Sequence, residues 1–467
     1  MLINYKSINQ SIIHSIIQPF IHSITQPFLR SVVLFLFLSM TILLFGCKQT
    51  TEPKLEPELK LELEDVSCTE AWINLRITNL QLPANVTLYK NSVAQNNILC
   101  YGDTLLYVDS LLPNQTYKFK SIVQSSNQQI ITSSNELTVT TMDTTSHEFT
   151  WQSWEFGQHS SSTLYDVAII DENNIWAVGE IYMNDSLGRP DPNAYNAVHW
   201  DGTKWELKRI PIYLPSGYPF YPEIKSVFAF NSNDIWFEAG IHWDGNSFKQ
   251  IPFNIQWSGN VNKLWGSSSS DLYAVGNNGN IAHWDGRKWT KIESGTTLNI
   301  NDIWGDYNEK TGQWEILAVA ANYGSNLEKE ILLLENNHIQ KLSTESNPLM
   351  EPLLTTWFVP NRQYYVAGAG IYQKHLLKDS KWKNNLFNIT TFATTSIRGN
   401  NINDIIGVGA FGDFVHFNGI NWKNNYAQPS LSNGSYSKVA LKGNLIVAVG
   451  GNYTSINSVA VILLGRR

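Results

Sequence analysis

Cysteine is almost missing from this chain: Cys47, Cys68 and Cys100 are the only three in 467 residues. That excludes a fold built on a disulfide framework. There is no Cys-x-x-Cys pair and no His-Glu-x-x-His run, so the common zinc sites are excluded as well. Charge is scarce at 16% of residues, and 33 basic against 40 acidic side chains leave a net −7. No lysine or arginine run stands out, which argues against a nucleic-acid partner. A Gly-rich phosphate loop is lacking too. What the chain has in quantity is aromatic: 17 Trp, 20 Tyr and 20 Phe, many of them recurring at fixed spacing.

His199-Trp200-Asp201-Gly202, His242-Trp243-Asp244-Gly245 and His283-Trp284-Asp285-Gly286 repeat the same four residues, and His416-Phe417-Asn418-Gly419 is a weaker copy. Trp200 and Trp243 are 43 residues apart, Trp243 and Trp284 41. Each of the three follows a β-rich phrase: Ile175-Trp176-Ala177-Val178-Gly179, Asp234-Ile235-Trp236 and Leu272-Tyr273-Ala274-Val275-Gly276. A period near 40 residues built from short aromatic and β-branched runs marks a β-propeller. The third repeat supplies the template, with strands at 261–265, 271–276, 281–284 and 288–292. Asp285-Gly286 is expected to form a two-residue type I′ turn. Trp265, Trp284 and Trp289 are expected to fill the space between blades.

On this template blades begin near residues 164, 224, 261, 300, 353, 393 and 436. The fourth has Leu334-Glu335-Asn336-Asn337 where the first three have Trp-Asp-Gly. The seventh stops after its third strand, while residues 149–156, with Trp151 and Trp154, form a strand without a blade. Placing that strand outermost on the seventh blade closes the ring and removes its free edges. The expected fold is therefore all-β with seven blades, six or eight being the alternatives because the fourth and fifth repeats are degenerate.

Residues 149–467 resemble a bacterial propeller family of the BNR-like kind, whose members repeat "ndiWaVG…G.i.hwdG..W" along secreted and lipid-anchored proteins. The Trp-Asp-Gly-x-x-Trp runs from Trp200 to Trp205 and from Trp284 to Trp289 are also similar to the Asp-box of sialidase-like propellers. They depart from it because Asp and Gly are adjacent. The Asp-box is a turn remote from the active face, so neither resemblance carries catalytic residues across.

Residues 1–46 hold Lys6 and Arg30 and no acid, and 31–46 is a nearly unbroken apolar run. At 16 residues the run is short for a membrane span and suits a signal-peptide core. It ends Leu43-Leu44-Phe45-Gly46-Cys47, which resembles a bacterial lipobox. That resemblance implies a lipidated Cys47, export and membrane anchoring. Lys48 rather than Asp after the cysteine implies outer-membrane sorting. Without 1–46 the 33 basic residues fall to 31 against 40 acidic, a net near −9. Residues 47–60, rich in Pro, Glu, Lys and Leu, read as a tether. Residues 61–142 read as a separate small β-sandwich, with strands at 72–77, 86–90, 105–108, 117–123 and 137–141. Leu112-Pro113-Asn114-Gln115-Thr116-Tyr117 resembles the tyrosine corner of a fibronectin type III domain, and Trp72 falls where such domains bury a Trp. Cys68 and Cys100 form a disulfide there or stand as two buried thiols.

Catalytic constellations are absent or weak. His199, His242 and His283 hold equivalent positions in successive blades, so they radiate apart and cannot share a zinc ion. Asn184, Asp185, Asp191 and Asn193 offer oxygens for calcium, but their spacing fits no ion loop. No metal or other cofactor is expected. The better candidate is a surface. Two long insertions, 182–196 and 212–223, fall on the propeller face that joins strand two to three and blade to blade. Tyr213, Tyr218, Phe220 and Tyr221, stiffened by prolines, read as rigid anchors, with Asp191 and Trp257 nearby in the same loop set. The alternative is a loop that folds down as packing. The function expected is a non-enzymatic binding or scaffold protein, anchored by lipid and contacting an envelope protein or glycan. A glycan hydrolase or lyase is the alternative, using Glu180, Asp185, Arg189, Asp191 and Glu223, and an envelope assembly factor a further one.

Overall fold

The computed structural model describes residues 55–467 apart from 215, 239, 323–327, 336–337, 343–348, 350–351, 384–388, 426–430, 432 and 454–455. The leader, Cys47, most of the tether, Pro215, Asn336 and Asn337 thus lie outside the described residues.

Residues 150–466 form a β-propeller of seven antiparallel sheets. Their inner strands, in ring order, are Thr163–Asp171, Val227–Asn231, Val261–Ser268, Ile300–Asn308, Leu353–Val359, Thr394–Asn401 and Gly434–Lys442. Each touches the next, and the last touches the first. Blade 3 matches its template closely: Val261–Ser268, Asp271–Gly276, Asn280–Trp284 and Trp289–Glu293. Among the described residues blade 5 has three strands, ending at Gly370–Lys374, and a bridge from Gln373 to Lys383 stands where a fourth would pair. Blade 7 consists of Gly434–Lys442, Leu445–Tyr453 and Ser458–Arg466, completed by Thr150–Phe156 from the other end of the propeller segment. The orphan strand therefore closes the ring where the sequence placed it.

Large rings fill the wedge between neighbouring blades. Trp236 of blade 2 packs at 5.3 Å on Trp284 and edge-on at 6.0 Å on Trp289 of blade 3. Trp265 is buried against Ile300 and Ile303 of blade 4. Each such burial contributes about 1.5–3 kcal/mol through apolar area removed from water.

The Asp-Gly turns are not of type I′. Trp200 pairs with Trp205 and Trp284 with Trp289, so each hairpin has four loop residues rather than two. The reason lies in the aspartate side chain. Asp201 Oδ1 accepts the backbone N–H of Thr203 (2.8 Å) and Lys204 (2.9 Å). Asp285 Oδ1 does the same for Arg287 and Lys288, both at 2.9 Å. That carboxylate cap fixes the turn with only the glycine at positive φ, +96° at Gly202 and +85° at Gly286.

The repeated histidines are structural. His242 and His283 bond through Nε2 to Asp234 (2.8 Å) and Asp271 (2.7 Å), which open the second strands of their own blades. His199 bonds Asn174 in the same way at 2.9 Å, and each imidazole lies over the aromatic ring two residues further along.

Upstream of the ring are a three-stranded sheet, Glu58–Val66, Ala71–Thr78 and Thr104–Val108, and a five-stranded one, Val93–Cys100, Ala84–Lys90, Thr116–Gln124, Ile130–Ser133 and Leu137–Thr140. The tether ends earlier than its composition suggests. Glu58-Leu59-Lys60-Leu61 alternates with period two, and Leu59 and Leu61 are buried, so charge-rich residues here make a strand. Tyr117 Oη accepts the Leu112 N–H at 2.9 Å, the expected corner bond. Cys68 and Cys100 are not joined: both thiols are free and buried. Cys68 follows the first strand and donates to Asp143 O, whereas Cys100 ends an edge strand of the other sheet. Burial and the Asp143 charge push the Cys68 thiol up to about 11.

These sheets contact one face of the ring, that of the first-to-second and third-to-fourth strand turns. Arg362, in the blade 5 turn, lies 4.6 Å over the Trp72 ring and bonds Glu64 (2.9 Å) and Asp65. Lys310, in the blade 4 turn, pairs with Glu64 at 2.8 Å. Thr145, between the sheets and the ring, donates to Asn403 O in the blade 6 turn at 2.8 Å. The opposite face, with the blade-to-blade connections, is left to the long insertions.

Candidate functional site

The first insertion is held by two arginines, Arg189 within it and Arg209 beyond it. Asp185 takes the backbone N–H of Leu187 and Arg189 and pairs with the Arg189 guanidinium at 2.9 Å. Asp191 takes the Asn193 N–H and pairs with Arg209 at 2.6 Å. Arg209 also lies 4.0 Å over the Tyr195 ring and 5.9 Å from that of Tyr221. Asp191 and Tyr221 thus meet through Arg209, in a cluster that stiffens the base of the second insertion. The carboxylates needed for a calcium loop or a glycan-cleaving pair are bound separately, Asp185 to Arg189, Asp191 to Arg209, and Glu223 to Lys225 at 3.1 Å. Among the described residues no group of three metal-ligating side chains occurs.

The second insertion is a small hairpin. Ile212 pairs with Phe220 and Tyr213 with Pro219, and Leu214 closes the turn with bonds to Tyr218 O (3.1 Å) and Gly217 N (2.8 Å). Its outer surface is apolar and open: Tyr213 is 54% exposed, Tyr218 72% and Phe220 51%. Leu214 adds to it at 47%. Trp257 is not part of that surface. Its indole bonds Gly259 O at 3.1 Å and its ring packs on Phe253 at 5.2 Å, in the cluster between blades 2 and 3.

Glu238, directly after the second strand of blade 2 (Asp234–Phe237), has φ +50°, uncommon for a residue with a side chain. Its carboxylate accepts the Lys225 N–H at 3.0 Å. Burial first, then the Glu223 charge, push Glu238 up to about 7 from an ordinary 4.5. Between those values the folded chain holds a proton that the unfolded chain has lost, so this contribution to stability is complete below pH 4.5 and fades as pH rises through about 7. Glu238→Gln keeps the acceptor without the charge. It is expected to raise the melting temperature at pH 8 relative to the parent and to leave it unchanged at pH 4, measured by thermal melts across that range.

Sequence reasoning missed the centre of the ring. At one equivalent position each blade carries a polar side chain on, or in blade 2 immediately before, its inner strand: Asp166, Ser226, Lys263, Asp302, Thr355, Ser396 and Lys438. In six of the seven strands a register shift immediately precedes it. Five of them accept a backbone N–H from the next blade: Asp166 from Val227 (3.0 Å), Ser226 from Leu264 (2.9 Å), Asp302 from Thr356 (3.1 Å), Thr355 from Ile397 (3.1 Å) and Ser396 from Val439 (3.3 Å). This stitches blade to blade around the channel. Lys263 and Lys438 cannot take part, because an ammonium accepts nothing. Lys263 instead crosses the channel to both oxygens of Asp166 at 2.7 Å. Arg398 holds Asp302 in a two-pronged pair at 2.8 and 2.7 Å. The signal was present as a polar residue at or near the start of each inner strand, but the apolar period beside it dominates the pattern.

No family model matches the chain, and no curated protein does. Among solved structures, YCF48 bound to D1 peptide is similar at 16% identity over 68% of this chain and 97% of that one, with a TM-score of 0.47. YCF48 from Cyanidioschyzon merolae gives 11% identity over 68% and 98%, TM-score 0.45. An auxiliary nutrient binding protein from Bacteroides thetaiotaomicron gives 9% over 89% and 99%, TM-score 0.35. The seven-bladed ring itself rests on the strand pairings above.

Proposed function

We propose that this chain is an exported, lipid-anchored, non-enzymatic binding protein whose loop face contacts a protein or glycan of the cell envelope. The observation that carries it is the Ile212–Phe220 hairpin, which presents Tyr213, Tyr218 and Phe220 to solvent on the face opposite the N-terminal sheets. Exposed rings on a stiff turn bind at low entropic cost, and contiguous exposed apolar surface marks interaction sites. Two further points support the layout. The leader ending at Cys47 resembles a lipobox. The three- and five-stranded sheets, with the Tyr117 corner and buried Trp72, fit a fibronectin type III-like spacer.

The test compares the full chain, extracted in mild detergent, with a Tyr213→Ala/Tyr218→Ala/Phe220→Ala variant for retention of solubilised envelope components. Aromatic anchors are worth about 2 kcal/mol or more each. Retention is therefore expected to fall by at least about tenfold with the melting temperature unchanged. Equal retention by both proteins would move the binding surface elsewhere.

A further inference from the structure

Lys438 is the anomaly of the polar ring. It stands where an acceptor would stitch blade 7 to blade 1, yet it gains no carboxylate of its own in return. Asp302 is already taken by Arg398, and Lys438 Nζ lies 3.7 Å from Asp302 Oδ1 and 3.5 Å from Asn301 O. Among the described residues, three cations (Lys263, Arg398 and Lys438) pair around the channel with two carboxylates (Asp166 and Asp302). The surplus positive charge is at Lys438, whose side chain is only 12% exposed. Burying an ammonium without a full partner is costly, and a methionine there would avoid the cost.

Above Lys438, at the loop-face mouth of the channel, is a cavity of about 400 Å³. That is within the usual range for small-molecule sites. Besides Lys438, its wall includes the hydroxyl-bearing side chains Thr163, Tyr165, Ser435, Ser437 and Tyr453. A buried cation below and hydroxyls around it are complementary to a carboxylate attached to a hydroxylated body. Tyr165 interacts with Glu223, which puts negative charge on the blade 1 and 2 side of the rim. That charge disfavours polyanions more than it disfavours a single carboxylate.

We propose that the channel mouth above Lys438 is a binding site for a small polyhydroxylated monocarboxylate, the carboxylate pairing with the Lys438 ammonium and the ligand hydroxyls meeting the Ser, Thr and Tyr wall. This goes beyond the hairpin surface and does not depend on it. Burial draws the Lys438 ammonium below the ordinary lysine range, and Arg398 and Lys263 add to the effect against the pull of Asp302. A bound carboxylate supplies the charge that the ring lacks.

The experiment is calorimetric titration of the full chain in mild detergent with gluconate, galacturonate, acetate and galactose. The chain is compared with Lys438→Met and Lys438→Arg. Gluconate or galacturonate is expected to saturate at least about tenfold more tightly than acetate, with no saturation by galactose. Gluconate alone would identify an open-chain hydroxy acid, galacturonate alone a ring-form sugar acid, and either supports the site. Lys438→Met is expected to lose at least about tenfold in affinity while melting at or above the parent temperature, since it removes a buried charge that only shares Asp302 with Arg398. Lys438→Arg is expected to retain binding. Acetate binding as tightly as the hydroxy acids would overturn the hydroxyl wall, and galactose binding as tightly would overturn the carboxylate. Absence of saturation by any acid, or affinity unchanged in a folded Lys438→Met, would overturn the site.

Discussion

Trp151→Ala combined with Trp154→Ala is expected to remove most of the stability of the propeller. The two rings leave the closing strand on opposite faces. Trp151 packs edge-on against Phe414 of blade 6 at 4.9 Å, and Trp154 against Trp200 of blade 1 at 5.5 Å. One strand therefore holds blade 7 to both neighbours. Each truncation is expected to cost about 2–4 kcal/mol, toward the low end for core aromatics because both rings are half-buried. With no shared partner, the two costs should add. The sum approaches the 5–15 kcal/mol typical of a whole domain. Loss of the strand would also uncover the Ser458–Arg466 edge, so the double variant is expected to self-associate. Urea melts and gel filtration measure both effects. Single-variant losses under about 1 kcal/mol would show that Thr150–Phe156 does not close the ring.

Asp302→Asn is expected to cost about 3–5 kcal/mol, because it leaves Arg398 and Lys438 buried without their carboxylate. Asp302 is fully buried and also receives the Thr355 hydroxyl at 2.6 Å and the Thr356 N–H. Although burial alone raises its pKa, Arg398 and Lys438 together hold the carboxyl below the usual carboxylate range. A depressed carboxyl contributes stability that is present above the ordinary carboxylate pKa and is lost as pH falls below it. The parent should therefore lose stability on acidification more steeply than Asp302→Asn. Adding Arg398→Gln to Asp302→Asn is expected to restore part of the loss, since it removes one of the stranded cations. Equal destabilisation of single and double variants at neutral pH would contradict the channel pairing.

The repeat was legible because its residues do one job in each blade that carries them. Trp236, Trp284 and Trp289 fill the same wedge, and Asp201, Asp244 and Asp285 cap the same turn, so spacing alone exposes them. The turn type was misjudged because Asp-Gly says only that one residue needs positive φ. Whether the Asp side chain or its backbone shapes the turn depends on the N–H groups that it reaches. The first upstream strand was hidden by the run of Glu and Lys from 58 to 64, in which Glu58 and Lys60 face outward while Leu59 and Leu61 face in. The hairpin was legible as an aromatic loop, but Tyr221 and Trp257 were not separable from it by sequence. Their packing on Arg209 and Phe253 depends on residues brought close by the fold. The channel ring was illegible for the opposite reason to the tryptophans. Asp, Ser, Lys and Thr share a position but no chemistry that a repeat search would align.

Amide hydrogen exchange of the full chain, with and without solubilised envelope, tests the loop-face account most directly. The account predicts slowed exchange concentrated in residues 209–221 on addition of envelope, with the blade 4 to 6 turns near Lys310, Arg362 and Asn403 unchanged. Slowed exchange at those turns or in the N-terminal sheets, with 209–221 unaffected, would contradict it.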